Sequence, residues 1–132
     1  VVQIITNGGC HLDAMLVRDA LAKLALDDIQ ILFIENVGNL VCPASYDLGE
    51  KFKVVIVSTT EGDDKPVKYP KMFRVANVCV LNKIDLLDYL DFDIVRFKEK
   101  ARMINPNLHF FDTSAKTGDG LDKWTDWLEH LI

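Results

Sequence analysis

The sequence predicts an α/β protein with a mostly parallel sheet flanked by helices. Two observations carry this prediction. Short apolar runs alternate with amphipathic segments along the 132 residues, and two runs, residues 31–34 and 54–57, are apolar throughout. Uninterrupted apolar strands are typical of parallel sheets that are covered on both faces. Ligands of such sheets bind beyond the carboxyl ends of the strands, so the functional residues are expected there.

Strands and helices are expected to alternate along the whole chain as one domain. The predicted strands are residues 1–6, 30–35, 53–59, 77–82 and 108–113. The predicted helices are residues 11–26, 70–75, 93–104 and 120–131, with apolar side chains at helical spacing in the first and last.

Composition and charge exclude several classes of protein. A net charge of −5 without a basic run argues against a nucleic-acid surface. No apolar stretch reaches the roughly 18 residues of a membrane span. Three cysteines are an odd number and too few for a disulfide framework. We therefore expect a cytoplasmic protein with reduced thiols.

The segment Asn82-Lys83-Ile84-Asp85 follows the predicted strand 77–82 and points to guanine recognition. The Asp85 carboxylate can accept hydrogen bonds from N1–H and the exocyclic amine of guanine, a donor pair that adenine lacks. The stem of Lys83 can pack on the base, and Asn82 can tie neighbouring loops together. The alternative is an asparagine turn in which Asp85 caps a helix over residues 86–90.

A second segment, Ser114-Ala115-Lys116, follows the strand 108–113. The Ala115 N–H could bind guanine O6, and the Lys116 stem could cover the other face of the ring. By itself the segment could be an ordinary polar turn. Together, the two segments resemble the fourth and fifth signature motifs of P-loop GTPases.

Glu35 ends the strand 30–35, and Gly38 follows three residues later. The pair resembles the third GTPase motif, usually Asp-x-x-Gly, with glutamate in place of aspartate. An acid here can hold the Mg²⁺ shell while the glycine N–H approaches the γ-phosphate. The alternative is an acid that only marks the solvent end of a strand.

Cys10, His11 and Cys42 follow predicted strands on the same sheet edge and form a candidate metal site. Thiolate and imidazole suit zinc, nickel and copper, whereas magnesium prefers oxygen. A helix beginning directly after Cys10 would favour its thiolate. Three ligands leave a tetrahedral site one short, and a symmetric dimer could complete it. The alternative is two small buried cysteines and a capping histidine.

Four other titratable residues are given no role in binding. Cys79 lies inside a strand and is expected in the core. Asp13 is interpreted as compensating the dipole in the first turn of its helix. His109 starts a strand and His130 ends the last helix.

Taken together, these motifs closely resemble the HypB family of hydrogenase maturation GTPases. The resemblance covers residues 1–132 and is carried by the two guanine motifs and three strings, Cys10-His11-Leu12-Asp13-Ala14, Glu35-Asn36-Val37-Gly38-Asn39-Leu40-Val41-Cys42-Pro43 and Glu61-Gly62-Asp63-Asp64. It implies a P-loop NTPase fold (a G domain), GTP with Mg²⁺, and Zn²⁺ or Ni²⁺ bound by Cys10, His11 and Cys42.

The same resemblance implies a biological role and partners. The role is nickel insertion into [NiFe] hydrogenase, with GTP-promoted homodimerisation around the metal. The partners are a hydrogenase maturation protein and the hydrogenase large subunit. Residues 60–68 would lie near the dimer contact, with Lys65 or Lys68 reaching the neighbouring nucleotide.

One departure from the family pattern is large. No Gly-x-x-x-x-Gly-Lys-[Ser/Thr] loop occurs in the 132 residues, and that loop supplies the N–H cradle for the phosphates, a lysine and a Mg²⁺ ligand. We therefore expect a partial G domain that lacks its first strand and P-loop and is a fragment of a longer chain. The fragment alone should be inactive as a GTPase, and no catalytic residue is identified.

Two alternative functions remain open at this stage. One is a sister GTPase for urease or cobalamin-enzyme maturation. The other is a non-catalytic metal-binding or dimerisation module on a G-domain scaffold, which the missing phosphate loop would favour.

Overall fold

The computed structural model describes residues Val1–Ile132, which fall into two units, Val1–Lys51 and Phe52–Ile132. The first unit contains helix α1 (Ala14–Leu21) and the 3₁₀ helices Leu26–Asp28 and Cys42–Ser45. The second unit contains strands β1 (Val54–Ser58), β2 (Val78–Asn82) and β3 (His109–Asp112), helices α2 (Lys65–Lys68), α3 (Pro70–Val75), α4 (Ile94–Ile104) and α5 (Leu121–Glu129), and the 3₁₀ helices Thr59–Glu61 and Ile84–Tyr89. No helix has the length and apolar character needed to cross a membrane.

The sheet of the second unit is parallel throughout, as predicted, with strand order β1-β2-β3. Its register pairs Ser58 with Asn82, and Leu81 with Asp112. The carboxyl ends of all three strands therefore lie at one edge of the sheet. The segments that follow Asn82 and Asp112 leave the sheet side by side, which is the arrangement that a shared ligand site requires.

Strand β2 is covered on both faces, which accounts for its uninterrupted apolar sequence. On one face Val78, Val80 and Phe111 form a cluster with Trp124 and Trp127 of α5. The opposite face is lined by other side chains that are fully or almost fully buried, namely Val55, Val57, Cys79, Leu81, Phe73 and Phe97. Burial raises the pKa of the Cys79 thiol to about 12, so Cys79 is a neutral core residue, as predicted.

Strand β1 is an edge strand, and one of its faces is open. Ile56 is 65% exposed, whereas its neighbours Val55 and Val57 are buried. The prediction that residues 54–57 are covered on both faces is therefore wrong at Ile56. The aromatic side chains of α5 pack on Val54, β2 and β3, and that layer leaves Ile56 uncovered.

The strands predicted at residues 1–6 and 30–35 are also absent. Both segments lack regular secondary structure, and no strand pairs with either of them. Ile5 and Phe33 are 72% and 67% exposed. An apolar run becomes a strand only where an adjacent chain accepts and donates its backbone hydrogen bonds.

Helix boundaries differ from the predicted ones mainly where a side chain caps the helix. Helix α1 begins at Ala14 because the Asp13 carboxylate accepts the Leu16 N–H at 2.9 Å, and it ends at Leu21, five residues before the predicted end. Helix α4 begins one residue after its cap, Asp93, and α3 matches its predicted bounds. The segment after β2 is a 3₁₀ helix, and α5 ends at Glu129.

A buried carboxylate joins the segment before α2 to α4. Asp63 is buried, and it accepts hydrogen bonds from Arg96 Nε at 2.7 Å and Lys100 Nζ at 3.0 Å. Burial opposes the charge and raises the pKa of Asp63, but the two cationic donors outweigh burial, so the pKa lies below its usual value. The ionised carboxylate thus stabilises this part of the fold.

Replacing Asp63 with asparagine should therefore destabilise the protein. We expect Asp63→Asn to lower the free energy of unfolding by on the order of 1 kcal/mol at neutral pH, because a charged acceptor for two cations is lost. The contribution is complete above the ordinary pKa of 3.8 and is lost as the pH falls through the lower folded pKa. Urea unfolding at several pH values measures this contribution. The difference in free energy of unfolding between parent and variant should disappear in acid.

A neighbouring ion pair provides the control for this measurement. Asp64 pairs with Lys68 at 2.8 Å, and both side chains are about half exposed, at 46% and 59%. Asp64→Asn should have a much smaller effect, because water screens an exposed pair. Equal destabilisation by the two variants would show that the burial of Asp63 is unimportant.

Candidate functional site

A cavity of about 350 Å³ follows the carboxyl ends of β2 and β3. The residues that line it are Asn82, Lys83, Asp85, Leu86, Ala115 and Lys116. Five of these six were predicted from the sequence, and Leu86 adds an apolar wall. The sixth predicted guanine residue, Ser114, lies behind the cavity and is fully buried.

The Asp85 carboxylate is held by a single short hydrogen bond. Ser114 Oγ donates to Asp85 Oδ1 at 2.6 Å, and the same hydroxyl accepts the Thr117 N–H at 3.1 Å. Asp85 Oδ2 accepts no hydrogen bond from the chain. The alternative in which Asp85 caps a helix is not seen, because no side chain caps the 3₁₀ helix Ile84–Tyr89. Ser114 therefore orients the carboxylate and leaves acceptor capacity for a ligand.

Asn82 joins the two loops that border the cavity. Its Oδ1 accepts the Ala115 N–H at 3.0 Å and lies 3.5 Å from the Thr113 hydroxyl. The Ala115 N–H was predicted to bind guanine O6. In this structure it donates to Asn82 instead. A base that used this N–H would have to share it with Asn82 or replace Asn82 as its acceptor.

Lys83 adopts an unusual backbone conformation that a neighbouring threonine stabilises. Its φ is 65°, in the left-handed region, which is uncommon for a residue with a Cβ. Thr59, which is buried, donates from Oγ1 to the Lys83 carbonyl at 2.8 Å. The Lys83 side chain is exposed at the cavity. Thr59 was not predicted, because it follows a different strand and carries no motif of its own.

A tight turn after Ser114 fixes the second loop. The Ser114 N–H donates to the Asp119 carbonyl at 2.9 Å, and the Gly118 N–H donates back to the Ser114 carbonyl at 2.8 Å. Gly120 has a φ of 70°, and a Cβ built on it would lie 2.0 Å from the Asp112 carbonyl oxygen. Only glycine fits at this position, so Gly120 is a supporting residue that the motifs did not reveal.

The candidate metal ligands come together within the first unit. One ligand atom each from Cys10, His11 and Cys42 lies within 4.8 Å of the other two. Cys10 Sγ is 3.5 Å from His11 Nδ1, and the His11 ring stacks on Tyr46 with centroids 3.7 Å apart. Tyr46 was not predicted. It fixes one face of the imidazole and restricts the directions in which the ring nitrogens can point.

These donors have the chemistry of a soft divalent site. Tetrahedral zinc with bonds of about 2.0–2.3 Å needs ligand atoms roughly 3.3–3.8 Å apart, so closure onto an ion requires a shift of about 1 Å. Neighbouring Cys10 raises the pKa of the Cys42 thiol, because protonated Cys42 can donate a hydrogen bond to the Cys10 sulfur; burial and the negative charge of a Cys10 thiolate add to the effect. A bound cation would reverse this by stabilising both thiolates.

Helix α1 does not contribute to the metal site as the sequence predicted. It begins at Ala14, so Cys10 lies four residues before it and outside its first turn. Cys42 instead begins the 3₁₀ helix Cys42–Ser45. Asp13 is the side-chain cap of α1 and is not in its first turn.

Glu35 and Gly38 lie in an exposed loop of the first unit. A Cβ added to Gly38 would meet no atom within 4 Å, and its φ is not in the left-handed region. Packing within the chain therefore gives no reason for glycine at this position. The absence of a Cβ does leave the Gly38 N–H open to a ligand.

Comparisons with known proteins agree on one family. Residues 1–112 match the CobW/HypB/UreG nucleotide-binding domain. The chain is 56% identical over 128 residues to the hydrogenase maturation factor HypB of Escherichia coli (strain K12), covering 97% of this chain and 44% of that protein. It is 48% identical over 132 residues to the probable hydrogenase maturation factor HypB of Methanocaldococcus jannaschii, covering all of this chain and 60% of that protein.

Two solved structures share the fold and much of the sequence. HypB from Archaeoglobus fulgidus superimposes with a TM-score of 0.90 at 44% identity, covering 96% of this chain and 67% of that one. HypB from Helicobacter pylori, solved in complex with nickel, gives a TM-score of 0.94 at 38% identity, covering 98% and 62%. The chain thus spans about half of the bacterial relatives' length, and its sheet, flanking helices and sequence place it in the CobW/HypB/UreG nucleotide-binding domain family of P-loop GTPases, among the HypB proteins.

Proposed function

We propose that this chain is part of a GTP-binding metallochaperone that assists nickel insertion into [NiFe] hydrogenase. The observation that carries the proposal is the coexistence of two sites in 132 residues. One is a cavity lined by Asp85, whose carboxylate can accept the two donors of guanine, and by Ala115. The other is a cluster of two thiols and an imidazole suited to nickel or zinc.

Guanine selectivity in this proposal rests on Asp85. Its free oxygen and the oxygen bound to Ser114 can together accept N1–H and the exocyclic amine of guanine. Adenine lacks this donor pair and would leave the free oxygen of the carboxylate without a partner in the cavity, which is costly. The exposed stems of Lys83 and Lys116 flank the cavity and can cover the two faces of the base.

The phosphate end of the nucleotide is assigned to Glu35 and Gly38. Glu35 would hold the Mg²⁺ shell, with or without an intervening water, and Gly38 would offer its N–H to the γ-phosphate. The 132 residues contain no Gly-x-x-x-x-Gly-Lys-[Ser/Thr] pattern, so phosphate binding and hydrolysis are proposed only for the full-length protein.

Cys10, His11 and Cys42 are the residues that would hold Ni²⁺ or Zn²⁺. In the proposed cycle GTP promotes a homodimer that brings a second set of ligands to the ion, since an isologous contact apposes identical patches. Hydrolysis would then loosen the dimer and release nickel toward a maturation protein and the hydrogenase large subunit. The nickel complex of the Helicobacter pylori relative supports the choice of metal.

Replacing Asp85 with asparagine tests the guanine assignment. Asp85→Asn presents an amide that complements N1–H and O2 of xanthine in place of the two donors of guanine. We expect the full-length variant to lose about 100-fold or more in GDP affinity and to gain affinity for XDP. Competition against a fluorescent nucleotide measures both. The control is Asp88→Asn, an exposed carboxylate on the same 3₁₀ helix, and an Asp85 variant with parental GDP affinity would contradict the assignment.

Removing one thiol tests the metal assignment. We expect Cys42→Ala to weaken Ni²⁺ and Zn²⁺ binding by at least about 10-fold, because one of three protein ligands is lost. Chelator competition on the full-length protein measures the affinity. Cys79→Ala is the matched control, since Cys79 is a cysteine of the core. Metal affinity that depends on Cys79 and is indifferent to Cys42 would refute the assignment.

A metal-binding module without nucleotide control is the competing function. It shares the Cys10–His11–Cys42 cluster, so metal affinity alone does not separate the two. Titrating nickel into the full-length protein with GDP, with a non-hydrolysable GTP analogue and without nucleotide does separate them. Our proposal requires an affinity that changes with the nucleotide, and an unchanged affinity would favour the simple module.

A further inference from the structure

The Asn39 side chain connects the two segments that carry the metal ligands. Its Nδ2 donates to the Cys10 carbonyl at 2.6 Å. Its Oδ1 accepts the N–H groups of Val41 and Cys42, both at 3.0 Å. Asn39 and Cys10 are 29 positions apart in sequence. The amide of Asn39 thus contacts the backbone of two of the three candidate ligands, Cys10 and Cys42.

Asn36 makes a second connection on the other side of His11. Its Oδ1 accepts the Leu12 N–H at 3.0 Å and the Val37 N–H at 2.8 Å. The Cys10 carbonyl and the Leu12 N–H belong to the two peptide groups that flank His11. Both peptide groups are therefore held by asparagines from one short loop, and Leu12 is buried beneath them.

An asparagine is required at position 39 because the side chain uses both of its functions. The amide nitrogen serves one segment and the carbonyl oxygen serves the other. Aspartate keeps the acceptor but places an oxygen against the Cys10 carbonyl. Alanine removes both functions and leaves the turn before Cys42 and the Cys10 carbonyl without these partners.

We propose that Asn39 is a positioning residue of the metal site. It holds the Cys10–His11 peptide against the Cys42 turn, and the three ligand atoms lie within 4.8 Å of one another. Ligands held in this way lose less conformational freedom when a metal binds, which raises affinity. The inference rests on the proposed function, since it assumes that these three residues bind the metal.

Three variants of the full-length protein test the proposal with Ni²⁺ as the probe. We expect Asn39→Ala to lower nickel affinity by about 10- to 100-fold, as loss of an outer-shell partner does. It should also alter the thiolate-to-nickel charge-transfer absorption. Asn39→Asp keeps the contacts to Val41 and Cys42. Its nickel affinity should therefore lie between that of Asn39→Ala and that of the parent. Asn39→Asp also provides the test if the alanine variant does not fold. Asn107→Ala is the control, because Asn107 is exposed and its side chain makes no hydrogen bond.

The outcomes separate this inference from the proposed function. A parent with a Cys42-dependent nickel spectrum and an Asn39→Ala variant with the same affinity and spectrum would overturn the positioning role alone. A parent without Cys42-dependent nickel binding would overturn the proposed metal function, and the positioning role with it. A weakened site with an altered charge-transfer band, in a variant whose metal-free thermal unfolding matches the parent, supports the positioning role.

Discussion

Parallel pairing of β2 between β1 and β3 is the constraint on which the candidate guanine cavity depends. The register brings Ser58, Asn82 and Asp112 to one edge, so the segments that follow these strands must share the space beyond it. Thr59 therefore reaches the Lys83 carbonyl, and Ser114 reaches Asp85, although the members of each pair are distant in sequence. The apolar layers on both faces of β2 hold this register, because each face of the strand packs against its own set of buried side chains.

Asparagine side chains hold the loops of both units in place. Asn82 bonds the Ala115 N–H, and Asn39 bonds Cys10 and Cys42. The same device appears away from the candidate sites. Asn77 accepts the Lys53 N–H at 2.8 Å before β1, and Asn105 donates to the Phe73 and Ala76 carbonyls at 3.1 and 2.8 Å after α4. An amide offers a donor and an acceptor at a fixed separation, so it can satisfy backbone groups from two segments that no regular structure pairs.

The sequence predicted the sheet class and most of the cavity, because both depend on local patterns. The alternation of apolar runs with helical segments identified β1, β2 and β3, and the motifs at Asn82 and Ser114 identified five of the six residues that line the cavity. The strands at residues 1–6 and 30–35 were wrong because an apolar run cannot show whether a partner backbone lies beside it. Thr59, Gly120 and Tyr46 were missed since their roles arise from contacts to distant residues. The role of Asn39 was missed for the same reason. The motif at residues 35–43 is visible in the sequence, but the hydrogen bonds from Asn39 to the backbone of Cys10 and Cys42 are not.

A crystal structure of the full-length protein with GDP and Ni²⁺ would show whether one chain combines a guanine cavity with a thiolate–imidazole metal site. We expect the guanine N1 and exocyclic amine within hydrogen-bonding distance of Asp85. We also expect anomalous density for nickel bonded to Cys10, His11 and Cys42. A base bound away from Asp85, or nickel held by oxygen ligands elsewhere, would show that these residues do not form the two sites.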